Sequence, residues 1–68
     1  MNLKSKIGEL AKQSGLRKSF IAEKLKISGQ QYRNYETGRS LIPIDKAFEL
    51  AKILGVKVDD LYEDIDSD

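Results

Sequence analysis

The sequence contains no cysteine and no histidine. Without cysteine the chain has no disulfide and no thiolate ligand, and without histidine it lacks the usual zinc ligand and the usual proton shuttle at neutral pH. Apolar runs are also short, far below the roughly 20 residues of a membrane helix, and polar residues follow Met1 where a signal peptide would be apolar. We therefore expect a cytoplasmic protein that is not an enzyme, with no metal, no cofactor and no membrane contact.

The length of 68 residues allows one compact domain with a small core. Such a domain is stable by only a few kcal/mol, on the order of 5. One folded unit is therefore expected.

Charge is distributed unevenly along the chain, although its net value is only +1. Residues 1–58 hold all twelve Lys and Arg against five acids, a balance of +7, whereas residues 59–68 hold six acids and no base. This asymmetry suits a basic body that meets a polyanion, with an acidic end kept away from it. A solvated surface with a solubilising end is the alternative, and charge alone leaves both open.

The apolar residues recur with a period near 3.6, and no segment alternates long enough for a strand. The pattern predicts an all-α, compact bundle of five short helices. The first carries Leu3, Ile7, Leu10 and Ala11 and ends at Gly15; the second, about Lys18 to Leu25, buries Ile21, Ala22 and Leu25.

The third predicted helix has the clearest boundaries. Ser28 as the N-cap, with Gln31 three positions later, forms a capping box, and Gly38 supplies the left-handed stop. Tyr32 and Tyr35 lie three residues apart on one face, which we expect to be buried. The opposite face then carries hydrogen-bonding side chains and no carboxylate: Gln30, Arg33, Asn34 and Thr37.

The fourth predicted helix begins near Pro43 and ends at Gly55. Its expected apolar side is Ile44, Ala47, Phe48, Ala51 and Leu54. A fifth short helix is expected around Val58 to Tyr62. The domain should therefore span residues 1–62, with residues 63–68 as an acidic tail or the start of a linker.

These fragments and their order resemble the lambda-repressor-like, Cro/C1-type helix-turn-helix family. The resemblance covers about Leu3 to Tyr62 and is carried by Ile21-Ala22, Ile27-Ser28, Glu36-Thr37-Gly38 and the segment from Leu50 to Val56. It implies that helices 2 and 3 form the helix-turn-helix, with helix 3 in the major groove of DNA. The implied function is sequence-specific binding of double-stranded DNA by a transcriptional regulator, expected to be a repressor that acts as a dimer on a palindromic operator.

Three departures from the family pattern affect the expected contacts. Lys26 occupies a turn position where relatives often have glycine, so we expect a positive φ there at a cost of roughly 1 kcal/mol. Gly29 replaces a position that often reads a base. Arg17 and Lys18 replace the usual serine and glutamine, so a helix cap and a polar contact to phosphate are lost and two positive charges are gained.

The outward face of the third helix supplies the candidate base contacts. Glutamine and asparagine can pair bidentately with adenine, and arginine with guanine, which favours Gln30 and Asn34 first. Gln31 either reads a base or folds back on its capping box, and Arg33 either reads a base or grips a phosphate. The expected phosphate contacts, each with an ordinary solvated side chain as the alternative, are Arg17, Lys18, Ser28, Arg39 and Ser40.

Two further expectations concern ion pairing and assembly. Glu36 opposes the dipole at the end of its helix, so a cation such as Arg39 or Arg17 should hold it. A homodimer, at least on DNA, would be built near the C-terminus, with completion of the core as the alternative, favoured for Leu61; its candidate residues are Val56, Val58, Leu61, Tyr62 and Ile65.

Two other functions remain open from the sequence. The same fold serves as an antitoxin, which covers a partner toxin protein while repressing its own promoter, and the acidic end with nearby apolar residues would then face that partner. A co-activator that bridges proteins and binds DNA weakly is the second alternative.

Overall fold

The structure, a computed structural model, describes residues 2–65. Its elements in chain order are β1 (Leu3–Ser5), α1 (Ile7–Ser14), α2 (Lys18–Leu25), α3 (Gly29–Thr37), α4 (Ile44–Leu54), a 3-10 turn (Val58–Leu61) and β2 (Tyr62–Asp64). The expected compact helical fold is confirmed in part, because four helices are α-helical and the fifth is a single 3-10 turn. Among residues 2–65 no helix is long and apolar enough to cross a membrane.

A small antiparallel sheet corrects the all-α expectation. β1 pairs with β2 so that Leu3 lies opposite Asp64, and Leu3 therefore belongs to a strand and not to the first helix. Each strand has three residues, which is too short for alternation to show in a sequence. Glu63 and Asp64, assigned above to the tail, lie in β2, whereas residues 66–68 of that tail lie outside the described residues.

The helix ends follow the predicted stop signals. Gly38 and Gly55 end α3 and α4 in the left-handed conformation, as Gly15 does for α1. Lys26 ends α2 with φ of 59° and ψ of 43°, and within residues 2–65 it is the one non-glycine residue with a positive φ. The expected strain at Lys26 is therefore present, and its size is roughly 1 kcal/mol.

The two tyrosines of α3 face the interior, as predicted. Tyr32 is 1% exposed and Tyr35 is 5% exposed. They pack within one cluster that joins all four helices and the 3-10 turn, and whose largest other members are Ile7, Ile21, Leu25, Leu50 and Leu61. This packing fixes the rotation of α3 about its axis and turns its amide-bearing side outward.

The predicted apolar side of α4 is only partly buried. Ala47, Leu50 and Ala51 are buried, but Ile44 is 67% exposed and Phe48 is 56% exposed. α4 contacts α1, α2 and the 3-10 turn, and these neighbours cover one stripe of the helix. Ile44 and Phe48, four residues apart, form an adjacent row that nothing within residues 2–65 covers.

Candidate nucleic-acid interface

The connection between α2 and α3 is only three residues long, Lys26 to Ser28. The Ile27 amide donates to the Ala22 carbonyl at 3.1 Å, and Ser28 Oγ accepts from the Gln31 amide at 3.0 Å. Half of the predicted capping box is thus present. Within the described residues the Gln31 side chain makes no return bond to Ser28, so it is not taken up by the cap.

The outward side of α3 presents amides and a guanidinium to solvent. Gln30 and Arg33 are exposed and Asn34 is half-buried. Gln30 Nε2 donates to Asn34 Oδ1 at 3.2 Å, which ties the first two candidate base contacts together. Nothing lies within 4 Å of where a Cβ would stand on Gly29, so the N-terminal end of this face is unobstructed.

Glu36, the one carboxylate of α3, packs toward α1 and lines a recess beside Arg33 at the edge of that face. Its Oε1 accepts from Lys18 Nζ at 3.0 Å, and its Cγ lies 2.8 Å from where a Cβ would stand on Gly8 of α1. The expectation that a cation holds Glu36 is therefore confirmed, but the cation is Lys18 and not Arg39 or Arg17. Because the Glu36 carboxylate packs against Gly8 of α1 near the start of α2, Lys18, the first residue of α2, is the cation within reach.

Tyr32 and Glu36 bury polar atoms one turn apart on α3. The Tyr32 hydroxyl and Glu36 Oε2 are both buried, and neither makes a hydrogen bond of good geometry among residues 2–65. Burial raises the pKa of the Tyr32 hydroxyl, and the charge of the neighbouring Glu36 carboxylate and a weak hydrogen-bonding interaction with it raise that pKa further. Tyr32 is therefore neutral at physiological pH and occupied by the core, which removes it as a ring for stacking on nucleic acid.

The candidate phosphate contacts lie at two places. Arg17 and Lys18 are exposed at the N-terminus of α2. Arg39 and Ser40 follow the C-terminus of α3, with Arg39 exposed and the Ser40 amide bonded to the Asn34 carbonyl at 3.1 Å. Ser28, between α2 and α3, already accepts a bond from the Gln31 amide and keeps its hydroxyl proton as a donor.

One recess brings two of these cations together. It has a volume of about 280 Å³ and is lined by Lys18, Ser19, Gly29, Tyr32, Arg33 and Glu36. Sequence reasoning had no role for Ser19. Gly8, the second residue of α1, was a signal, because a glycine within a helix costs up to roughly 1 kcal/mol relative to alanine unless something packs closely against it.

The candidate dimer residues divide by burial. Leu61 is 1% exposed and completes the core, so it is left out of any interface. Val56, Val58 and Tyr62 are partly buried against the core, and the Tyr62 hydroxyl accepts from the Ile42 amide at 3.0 Å. Ile65 is 60% exposed.

A second apolar surface, not named as an interface from the sequence, adjoins Val56 and Val58. It is a groove of about 510 Å³ between α4 and the start of the 3-10 turn, lined by Ile44, Phe48, Ala51, Lys52, Val56, Lys57, Val58 and Asp59. We call it the α4 groove. Its exposed apolar members, Ile44 and Phe48, belong to a helix whose other side contacts α1 and α2.

None of these surfaces offers an obvious metal site. Within the described residues there is no group of three or more acidic side chains placed to hold a metal ion. The recess beside Lys18 has cationic and apolar walls, with one carboxylate that already carries an ion pair. Its chemistry therefore fits an anion better than a cation.

Two short helices joined by a tight turn, with the second held rigidly and its polar side outward, define a helix-turn-helix DNA-binding domain. A family model described as helix-turn-helix matches residues 7–61, most of the chain. The chain belongs to this Cro/C1-type helix-turn-helix family, and its function is accordingly that of a DNA-binding transcription regulator. Domains of this family are generally not enzymes. No curated protein sequence is significantly similar to the chain.

Proposed function

We propose that the protein represses transcription by binding, as a homodimer, to a palindromic operator in double-stranded DNA. The observation that carries this proposal is the orientation of α3. Tyr32 and Tyr35 hold one side of the helix inward, and the other side presents Gln30, Arg33 and Asn34 without a carboxylate. A DNA groove is strongly negative, so a helix face that lacks acids and carries bidentate donors suits it.

The base contacts are assigned to the first half of this face. Gln30 and Asn34 each carry a donor and an acceptor, the pair that adenine N7 and N6 require. Gln31 joins them, since its side chain is not bonded back to Ser28. Arg33 shares a recess with Lys18, which favours a phosphate at the groove edge as its ligand over a guanine.

The phosphate contacts are assigned to the two ends of the helix-turn-helix. Arg17 and Lys18 meet one stretch of backbone from the start of α2, and Arg39 and Ser40 meet another from beyond α3. Ser28 donates its hydroxyl proton to a phosphate while Oγ still accepts from the Gln31 amide. Such contacts set position and register but carry no sequence information.

A homodimer is proposed because one recognition helix reads only a few base pairs. Two copies on half-sites about 34 Å apart double the specific contacts. The α4 groove supports this assembly, since it exposes Ile44 and Phe48 and its rim carries both signs of charge, Lys52 and Asp59. Under two-fold symmetry a contact between Lys52 of one copy and Asp59 of the other would form twice. The proposed interface is therefore this groove, including Val56 and Val58, while Tyr62 and Ile65 stay candidate interface residues outside its lining.

Selection of bound sites from a random duplex library tests the proposal, with the mass of the protein in solution measured alongside. The expected result is enrichment of one sequence with two inverted half-sites whose centres are about one helical turn apart. Recovery of single half-sites would contradict the dimer. Recovery of no preferred sequence at moderate salt would contradict sequence-specific recognition altogether.

A second function, an antitoxin-type module that binds a partner toxin and represses its own promoter, is favoured by the same exposed groove. An unpartnered apolar face suits a foreign protein as well as a second copy. This function predicts a stable 1:1 or 2:2 complex with a co-expressed protein, and Phe48→Asp would abolish that complex. Isolation of the native chain with no partner other than itself would count against it.

A further inference from the structure

Glu36 belongs to α3, but its carboxylate lies at the junction of three helices. Its Cγ stands 2.8 Å from the position a Cβ would take on Gly8, so only a glycine at residue 8 lets it cross α1. Its side chain is 12% exposed although it is charged. Packing, and not solvent, therefore determines where this carboxylate sits.

Lys18 is the cation that offsets the negative charge of the Glu36 carboxylate at this position. Within residues 2–65, no other lysine or arginine nitrogen lies within 4.0 Å of the Glu36 carboxylate. The dipole of α3 opposes a negative charge near its C-terminus, and Oε2 makes no hydrogen bond of good geometry among the described residues. The ion pair of 3.0 Å through Oε1 is thus what balances the charge.

The same bond leaves Lys18 available to a ligand. Its side chain is 71% exposed, and an ammonium has three N–H donors, of which the carboxylate takes one. A free lysine loses rotamer entropy when it grips a phosphate, whereas one already held in place loses less. Arg33 and Glu36 line the same recess, so a phosphate there meets two cations and one carboxylate that Lys18 already pairs.

We infer that Glu36 is a positioning residue for DNA binding: it holds the Lys18 ammonium beside the recess, with two donors free for a backbone phosphate. This inference rests on the proposed function, since it assigns how one of the phosphate contacts is made. Glu36 itself touches no DNA and acts through Lys18. Gly8 contributes to this arrangement, because its lack of a side chain leaves the space that the Glu36 side chain occupies.

The expected effect of removing the Glu36 carboxylate on DNA affinity is opposite to the ordinary electrostatic one. Removing a carboxylate near a polyanion normally strengthens binding, because one repulsion is lost. If Glu36 positions Lys18, Glu36→Gln instead weakens binding to every duplex, by about threefold at moderate salt, and reduces the magnitude of the negative slope of log K against log salt by about 0.9, the value for one phosphate contact. Glu23→Gln is the matched control. Glu23 is exposed on α2, so its variant changes net charge equally and should bind at least as tightly with an unchanged slope.

The experiment is a salt-dependent titration of a fluorescent random-sequence duplex with the unaltered chain, Glu36→Gln, Glu23→Gln, Lys18→Gln and the double variant of Lys18 and Glu36. All are measured at a temperature where circular dichroism shows each one folded. Lys18→Gln should lower the affinity and the magnitude of the slope in the unaltered chain but have a smaller effect beside Glu36→Gln.

Three results would overturn the inference. Glu36→Gln that binds as tightly as the unaltered chain, with the same slope, shows that Lys18 needs no positioning. An unchanged slope in the double variant, which carries no unpaired buried charge and should fold even if a single variant does not, shows that Lys18 contacts no phosphate. Failure of the unaltered chain to bind any duplex removes the proposed function as well, and is thereby distinguished from the first two.

Discussion

Gln30 and Asn34 are joined by a hydrogen bond of 3.2 Å across one turn of α3, from the Gln30 side-chain nitrogen to the Asn34 side-chain oxygen. The two residues proposed to read bases therefore hold each other in place before DNA arrives. Pre-ordered side chains lose less entropy on binding. They also cease to act independently, since removing one frees the other.

Gln30→Ala and Asn34→Ala should each weaken binding to the selected operator by roughly 1–3 kcal/mol, with little effect on a random duplex. The double variant should lose less than the sum of the two, because each single change already breaks the shared hydrogen bond. Titration of both duplexes measures this, with Glu49→Ala on the exposed side of α4 as the control. Equal losses on operator and random duplex would refute the assignment to base reading.

Arg39→Ala should weaken binding to operator and random duplex alike and reduce the salt slope by about 0.9. The physical reason is that a phosphate contact releases the same counterion whatever the sequence. Lys24→Ala removes the same charge from a lysine that lies over the Phe20 ring on α2, and it should leave the slope almost unchanged. A loss confined to the operator would show instead that Arg39 reads a base.

Gly8→Ala should destabilise the fold although alanine is the better helix former by roughly 1 kcal/mol. A Cβ on residue 8 would stand 2.8 Å from Glu36 Cγ, and the carboxylate would have to move. In a Glu36→Ala background this obstacle is gone, and the same change should become stabilising by about 0.5–1 kcal/mol. Urea denaturation gives both values, and an effect of the same sign in both backgrounds would show that the two residues do not interact.

Phe48→Asp should prevent self-association and lower the free energy of unfolding by about 2 kcal/mol, because the side chain is 56% exposed and buries only the rest of its apolar area. The variant should bind a single half-site as the unaltered chain does but lose the added affinity for two half-sites. Sedimentation and titration with one-site and two-site duplexes test this. Glu23→Asp, at an exposed position of α2, is the control. Retained tight two-site binding by Phe48→Asp would place the dimer contact elsewhere.

The unfolding free energy should be constant near neutral pH and fall as the pH rises above about 10, the ordinary tyrosine value. Burial raises the pKa of Tyr32 and of Tyr62, so the folded state holds these protons more tightly than the unfolded state. A group of this kind contributes fully below the unfolded pKa, and its contribution is lost as the pH rises through the folded pKa. Tyr62→Phe should reduce this dependence and, by leaving the Ile42 amide unpaired, cost about 1 kcal/mol at neutral pH.

The helix-turn-helix could be predicted from the sequence because its signals are local. Ser28, Gly38 and the spacing of Tyr32 and Tyr35 specify the start, the end and the rotation of α3 within ten residues. The Lys18–Glu36 pair was missed because its members are 18 positions apart, and which cation reaches a carboxylate depends on how three helices pack.

Two other features of the fold could not be predicted from the sequence. The strands have three residues each and pair across nearly the whole chain, so neither length nor neighbouring residues reveals them. The sequence places Ile44 and Phe48 on the apolar side of α4, but an apolar row on a helix does not show whether the same chain covers it. Both features concern partners distant in sequence, which periodicity does not report.

The pairing of β1 with β2 has a practical consequence for engineering. Because Leu3 lies opposite Asp64 and the Ile65 amide donates to the Asn2 carbonyl at 2.9 Å, residues 2 and 65 are neighbours in space. A short Gly-Ser bridge between them would therefore permit circular permutation. For the same reason the domain can be inserted into a loop of a host protein, because its two attachment points, residues 2 and 65, lie side by side.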